Sequence, residues 1–516
     1  MKAVPASAAA NQQTDLDVLI VGAGLSGIGA AYHLQQNCPK KRYAILEGRE
    51  ALGGTWDLFR YPGIRSDSDM YTLGYSFRPW TNPKAIADGE SILAYLRDTA
   101  TENGIDRHIR FGHRVEGARW SSQDARWTID VRQLATGRVV QLTCAFLVVC
   151  AGYYDYENGY TPEFAGRERF QGTIIHPQHW PAGAGYEGKR VVVIGSGATA
   201  VTLVPELAKK AASVTMLQRT PTYVVARPAE DPIANWLRER LPEKAVYEIT
   251  RWKNVLLGMA FYQYCRRYPE RAKSILVKQV SKHVRGAEDI LEHFRPTYKP
   301  WDQRMCLVPD GDLFRALRKG KATVVTDHIE TFVENGIRLK SGKVLEADVI
   351  ITATGLNLKF LGGLSLDVDG QRVEPAKTMT YKGMMLSGVP NLAFAVGYTN
   401  ASWTLKCDLT SAYVCRLINH MDRSGYTDCR PRRDAEVEAV PSFSLNSGYV
   451  QRSIHLFPKQ GAVAPWRLYQ NYAVDRVLLG RQSVEDDHME FRRGVRRAAP
   501  SPALRLVSNE EPDAAQ

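Results

Sequence analysis

Two stretches of this 516-residue chain share one construction, and it limits the fold more than any other feature of the sequence. Residues 17–21 form a short apolar strand that runs straight into Gly22-x-Gly24-x-x-Gly27 and then a helical pattern over 28–35. Residues 190–194 do the same into Gly195-x-Gly197-x-x-Ala200, followed by a helical pattern over 201–208. Glycines at these places permit a tight turn and let the backbone approach a pyrophosphate seated on the positive end of the following helix. A single motif of this kind is a weak signal, because many are plain glycine-rich turns. Two of them, each set between a strand and a helix, predict an α/β chain with two dinucleotide-binding, Rossmann-like domains.

The two units differ where the second strand ends. In the first, residues 43–46 lead to Glu47, a carboxylate placed to accept hydrogen bonds from ribose hydroxyls. In the second, residues 214–218 lead to Arg219, whose guanidinium can clamp a 2′-phosphate. The first site is therefore read as holding an adenine dinucleotide without that phosphate, and the second as holding NADPH. Two more strand-to-glycine segments, 146–152 and 348–355, are read as returning the chain between the domains. The gap between Arg219 and Asp348 is too long for one crossover and contains a helical pattern with Trp252, Val255, Leu256 and Met259 on one stripe.

Charge and cysteine usage narrow the function classes. Of the net charge of +12, residues 251–285 hold nine Lys/Arg against one acid, Glu270. Such a run is usually a solvated helix face; the sharper reading is peripheral contact with anionic lipid. No recognition motif accompanies the charge, which argues against nucleic acid. The charge-free stretch 383–405 is interrupted by Pro390, Asn391, Gly397 and Asn400, so it does not read as a membrane span. Eight cysteines without C-x-x-C or zinc spacing fit a reducing cytoplasm, with neither a disulfide framework nor a metal site.

Within residues 170–181, Phe170, Gly172, His176, Trp180 and Pro181 spell F-x-G-x-x-x-H-x-x-x-W-P just before the second glycine motif. This is the fingerprint of the type I Baeyer–Villiger monooxygenases, and the chain resembles that family from residue 17 to about residue 472. It is most similar to the mycobacterial ethionamide-activating branch, through residues 53–71, 301–304 and 397–403. The basic, then acidic, tail beyond Arg492 departs from the family.

The resemblance implies FAD and NADPH as cofactors and a division of the chain. Residues 15–150 and 356–500 would bind FAD, 151–222 and 303–355 would bind NADP, 223–302 would be a mostly helical insertion, and 1–14 and 501–516 flexible tails. It implies Gly22, Gly24, Ser26 and Gly27 at the FAD pyrophosphate, Glu47 on the ribose and Val115 at the adenine. Thr55, Trp56, Asp57 and Leu58 would lie along the flavin, with Asp67 near its reactive edge. Gly195, Ser196, Gly197, Ala198, Thr199, Ala200, Val201, Arg219 and Thr220 would form the NADPH site, with Arg65 and Ser66 toward the nicotinamide. Arg304 aligns with the catalytic arginine. His176 is read as holding the interdomain linker, not as an acid or base.

The implied reaction inserts one atom of O2 beside a ketone carbonyl to give an ester, with sulfur oxygenation of thioethers or thioamides as a side activity. A permanently charged guanidinium suits the anionic oxygens of that route, and Asp67 would orient Arg304 and balance its charge. The nearest rival is a nitrogen- or sulfur-hydroxylating flavin monooxygenase, which needs no such arginine. A flavin disulfide reductase is disfavoured by the lack of paired cysteines, and a non-catalytic membrane-docking flavoprotein is the rival of a different class. Pocket walls are expected from segments whose side chains the sequence lists but does not place, such as Trp403, Tyr398 and Met384. The sequence names neither the ketone nor the oligomeric state.

Overall fold

The computed structural model describes residues 15–284, 288–434, 436–443 and 445–494. The predicted tails 1–14 and 501–516, and Arg285 of the basic run, lie outside the described residues. The first sheet is built on β1 (Asp15–Val21), β2 (Tyr43–Leu46), β3 (Ile109–Arg110), β4 (His113–Ser121), β5 (Arg126–Gln133) and β6 (Val139–Val149). β3, β2, β1 and β6 lie side by side in parallel, and the strand Leu392–Phe394 adds to β6. β6 is long enough to serve twice: its first half also pairs antiparallel with β5, which pairs with β4. Val18, Leu19 and Ile20 are fully buried, as a strand covered on both faces requires.

The second sheet is five-stranded and wholly parallel. After β7 (Tyr154–Gly159), the strands β8 (Thr173–Ile175), β9 (Arg190–Ile194) and β10 (Ser213–Gln218) enter it, and the strand Val349–Thr352 sits between β9 and β8. The predicted return segments are thus β6 and Val349–Thr352, each paired with the strand of its own glycine motif. The chain crosses between the sheets twice, through β7 and the strand Leu356–Leu358, and these two crossings pair antiparallel.

Helices follow the sequence signals. α1 (Leu25–Asn37) and α5 (Ala198–Leu207) start directly at Gly24 and Gly197. Between them come α2 (Thr55–Leu58), α3 (Met70–Leu73), capped by Asp69, and α4 (Gly89–Glu102), capped by Asp88. After β10, β11 (Val224–Arg227) leads into α6 (Pro232–Arg238), α7 (Glu243–Arg267) and α8 (Pro269–His283). The chain returns as β12 (Cys306–Pro309), parallel to β11, before β13 (Ala322–Thr326) joins the second sheet beside β10.

The predicted stripe on α7 is only partly inward: Val255 is buried, Trp252 and Met259 pack around it, but Leu256 faces solvent. The inward face runs through Val246, Tyr247, Thr250, Arg251 and Val255, and Leu256, one residue past Val255, lies about 100° further round the helix. Arg251 is buried, donates to the carbonyls of Tyr71 and Gly74 at 2.7 and 2.8 Å, and lies 3.7 Å from Asp408. The basic run is therefore not wholly a free surface, since Arg251, Lys253 (to Asp231) and Arg266 (to Asp302) are paired within the chain. Among the described residues no helix is long and apolar enough to cross a membrane.

All eight cysteines are buried and free. Burial pushes the Cys265 thiol up to about 11 and those of Cys306 and Cys407 to about 12. A thiol reagent at mildly alkaline pH should accordingly label no cysteine in the native protein and all eight after denaturation. Rapid labelling of the folded chain would contradict this burial.

Candidate active site

The first turn forms a cradle shaped by backbone contacts. A Cβ on Gly27 would stand 1.8 Å from the carbonyl oxygen of Gly22, and one on Gly22 (φ +101°) 2.7 Å from that of Cys150. Gly24 is different: its nearest neighbour would be Gly54 Cα at 3.7 Å. The outer two glycines are thus required by packing, whereas the middle one leaves room above the helix start. Since neither Gly24 nor Gly197 supplies a side-chain cap, the first-turn N–H groups of α1 and α5 stay available to an anion. Over Gly197 a Cβ would meet nothing within 4 Å, and Ala200, fully buried, takes the third position. Both turns suit a dinucleotide pyrophosphate.

Glu47 is buried, its carboxylate accepting from the N–H groups of Ala23 at 2.7 Å and Arg49 at 2.9 Å. It thereby ties the end of β2 to the glycine turn. Desolvation holds its carboxyl above the ordinary range, against the two N–H donors. Val115 lies on β4 beside a bulge, two residues past His113, whose N–H donates to the carbonyl of Glu47. Ser26 accepts from the Trp403 indole at 2.8 Å and lies 3.3 Å from Cys407 Sγ, so the helix start is fastened to the long helix Trp403–Ser424.

Residues 53–71 act as a strap. Thr55 Oγ lies 3.0 Å from the Tyr156 hydroxyl, and Trp56 packs on the first core. Asp57 is buried between Arg49 and Arg60 at 2.6 and 2.5 Å, so its carboxylate faces two arginines. Leu58, Phe59 and Tyr61 cross into the core of the second sheet, and the Tyr61 hydroxyl meets Thr199 on α5. Arg65 pairs with Asp312 at 2.6 Å, at the start of the helix Asp312–Arg318. Ser66 is turned inward, its hydroxyl donating to the Ser68 carbonyl at 2.7 Å. That hydroxyl is spent within its own loop, which the sequence reading did not foresee.

Beyond this loop Asp67 meets Arg304. Nη2 of Arg304 lies 3.0 and 3.1 Å from the two carboxylate oxygens. The Asp67 carboxylate, the largest influence, drives the guanidinium further toward the charged form, against desolvation, with Tyr153, Tyr154 and Tyr449 nearby. Asp67 is fixed because Ser66 and Met70 donate backbone hydrogen bonds to the carbonyls of Ala87 and Ala85. Arg304 is fixed by the start of β12, where Cys306 N–H donates to the Tyr223 carbonyl.

Both partners line a cavity of about 320 Å³. Its other walls include Asn254 and Met259 of α7, Trp301, and Asn400 with Ser402. Tyr398, Trp403 and Met384, offered as walls, stand elsewhere: Met384 is in the core, Trp403 lies on Ser26, and Tyr398 donates to Asp475. The α7 wall was missed because its sequence reads as a basic surface. The available signal was Asn254, a small amide three residues past buried Arg251, which donates to Asp69 at 2.9 Å.

In the second turn Ser196 Oγ donates to the Thr220 carbonyl at 3.1 Å and sits 3.0 Å from Thr222 Oγ1, joining the turn to the end of β10. Ala198 and Thr199 open α5, with Val201 buried behind them. Arg219 is exposed and enters no ion pair among the described residues. His176 belongs to the crossing: a Cβ on Gly159 of β7 would lie 2.0 Å from its ring, and burial lowers its basicity.

The cradle geometry makes a separable prediction. Gly27→Ala should destabilise the protein by about 1–3 kcal/mol through overpacking, whereas Gly24→Ala should leave the melting temperature nearly unchanged. Calorimetry of the two variants tests it, and equal losses would refute the division of roles.

Three comparisons bear on the family. The description "Flavin-binding monooxygenase-like" matches residues 75–396, and that of an NAD(P)-binding Rossmann-like domain matches residues 20–84. The FAD-containing monooxygenase EthA of Mycobacterium tuberculosis is 56% identical over 487 residues, covering 94% of this chain and 99% of the relative. The putative FAD-containing monooxygenase MymA of the same species is 51% identical, covering 92% and 97%. An oxidized steroid monooxygenase bound to NADP shares the fold, with a TM-score of 0.73 at 23% identity over 93% of this chain and 100% of the other. On these matches the chain belongs to the flavin-binding monooxygenase-like family.

Proposed function

We propose that this flavin monooxygenase is of the Baeyer–Villiger type, converting a ketone to an ester, with oxygenation of thioethers or thioamides as a side activity. The observation that carries the proposal is the Asp67–Arg304 ion pair on the wall of the cavity. The chain is an FAD- and NADPH-dependent enzyme. When bound, these two cofactors supply the hydride and the activation of O2. The turn at Gly22–Gly27 with Glu47 would hold FAD; the turn at Gly195–Ala200 with Arg219 would hold NADPH.

The chain's own residues then have three tasks. Arg304 keeps its charge under all working conditions and stabilises the anionic oxygen that develops as a ketone carbonyl is attacked. Asp67 orients that guanidinium and supplies the counter-charge without which a half-buried cation would be costly. The walls from α7, Trp301 and Leu405 limit the water that reaches the reacting atoms. Arg219, exposed and in no ion pair among the described residues, is the group suited to a 2′-phosphate.

Arg304→Ala should retain FAD and still consume NADPH, yet lose ester formation by at least ~10²–10³. Chromatography of ester beside stopped-flow absorbance of the flavin separates these two effects. Ester formation at near wild-type rate would move the nitrogen- or sulfur-hydroxylating reading ahead. Independently, Arg219→Ala should weaken NADPH binding by about 10–100-fold and leave NADH almost unaffected. Equal losses for both nucleotides in a titration would show that Arg219 is structural.

A further inference from the structure

α7 turns an apolar ridge toward solvent. Ile249, Leu256 and Leu257 recur at i, i+7 and i+8, which places them on one face, and Leu256 and Leu257 are 56% and 61% exposed. Trp236, 55% exposed, and Ile233 extend the exposed apolar surface on α6, which packs against α7. An outward row of large aliphatic side chains on a helix whose inward face is already filled marks an interaction surface.

The exposed cations of α8, which packs against α7, say what covers it. Once the internally paired cations are set aside, Arg267 at the end of α7 and Arg271, Lys278 and Lys282 on α8 are exposed and enter no ion pair among the described residues. The last three recur at i, i+7 and i+11, with exposed Ile275 among them. Glu270 is the one carboxylate of α8. A second copy of this chain seated by two-fold symmetry would set these cations against themselves, which opposes self-association through this face. An anionic lipid surface satisfies both features: aliphatic side chains enter the headgroup–acyl boundary while cations meet phosphates.

We propose that α6, α7 and α8 dock this enzyme on anionic membranes, with Leu256 and Leu257 inserted and Arg267, Arg271, Lys278 and Lys282 on the headgroups. Ile233 also lines the cavity, as do Gly258 and Phe261 of α7, so the docked bilayer lies at the cavity rim. The surface is independent of the ketone assignment, and the test needs no turnover.

The FAD-loaded full-length protein is sedimented with vesicles of phosphatidylcholine alone or mixed with phosphatidylglycerol. Wild type should bind the mixed vesicles, more weakly at high salt, and leave the neutral ones largely unbound. Arg271→Glu/Lys278→Glu/Lys282→Glu should lower binding about a hundredfold, at roughly fivefold per lost cation. Leu256→Asp/Leu257→Asp should lower it by at least about tenfold while circular dichroism and FAD content stay as in wild type. Wild type that ignores anionic vesicles, or both variants binding as wild type, overturns the proposal. So does light scattering that shows an assembly of copies dissociated by the leucine variant, without vesicle binding.

Discussion

A guanidinium placed among aromatic rings is costly unless a carboxylate meets it, and the Asp67–Arg304 pair is where the three parts of this fold are held to one another. Asp67 comes from the strap that leaves the first sheet and packs Leu58, Phe59 and Tyr61 into the second. Its loop hangs on the backbone of residues 85–87, and Ala85 and Ile86 in turn donate to the carbonyl of Ala229 at the start of the helical insertion. Arg304 arrives from the far end of that insertion, two residues before β12 begins at Cys306. A shift of either sheet or of the insertion would part the charges. The ion pair is thus a registration mark for the strap and the β11–β12 segment as well as a chemical group.

The two glycine turns show how similar backbone can carry different requirements. In the first, Gly27 sits against the Gly22 carbonyl so closely that any side chain would collide; in the second, Ala200 fills the equivalent place. The strand ends diverge as well. Glu47 is buried and bound to the turn it faces, whereas Arg219 is exposed and enters no ion pair among the described residues. A carboxylate already carrying two N–H donors is pre-oriented, while an exposed guanidinium keeps its fork of donors open.

What the sequence revealed followed how local the signal was. The glycine motifs, Glu47 and Arg219 are set by short spacing, so they could be located from the residues alone. The contact of Asp67 with Arg304 spans 237 positions, and only the resemblance to a family brought the two together. The cavity wall from α7 escaped both routes. Its inward face carries Arg251 and Asn254, polar residues that donate to the carbonyls of Tyr71 and Gly74 and to Asp69, while its outward face carries leucines. Periodicity assumes apolar residues point inward, and here part of that pattern is inverted. The inward turn of the Ser66 hydroxyl has the same character, since a two-residue loop contact leaves no trace in composition or spacing.

β11 and β12 carry a consequence of a different kind. The chain departs for the helices and returns on adjacent parallel strands, paired from Val224 with Cys306 to Arg227 with Pro309. The insertion is therefore a loop whose two ends are already closed, and lengthening such a loop costs little, about 0.6 kcal/mol for each doubling. Length can be added at the outer turns of the insertion without moving these strands, whereas α7 itself is held by its contacts with Asp69, Tyr71 and Gly74. The closed base thus leaves the outer turns open to variation while the residues that carry the ion pair keep their places.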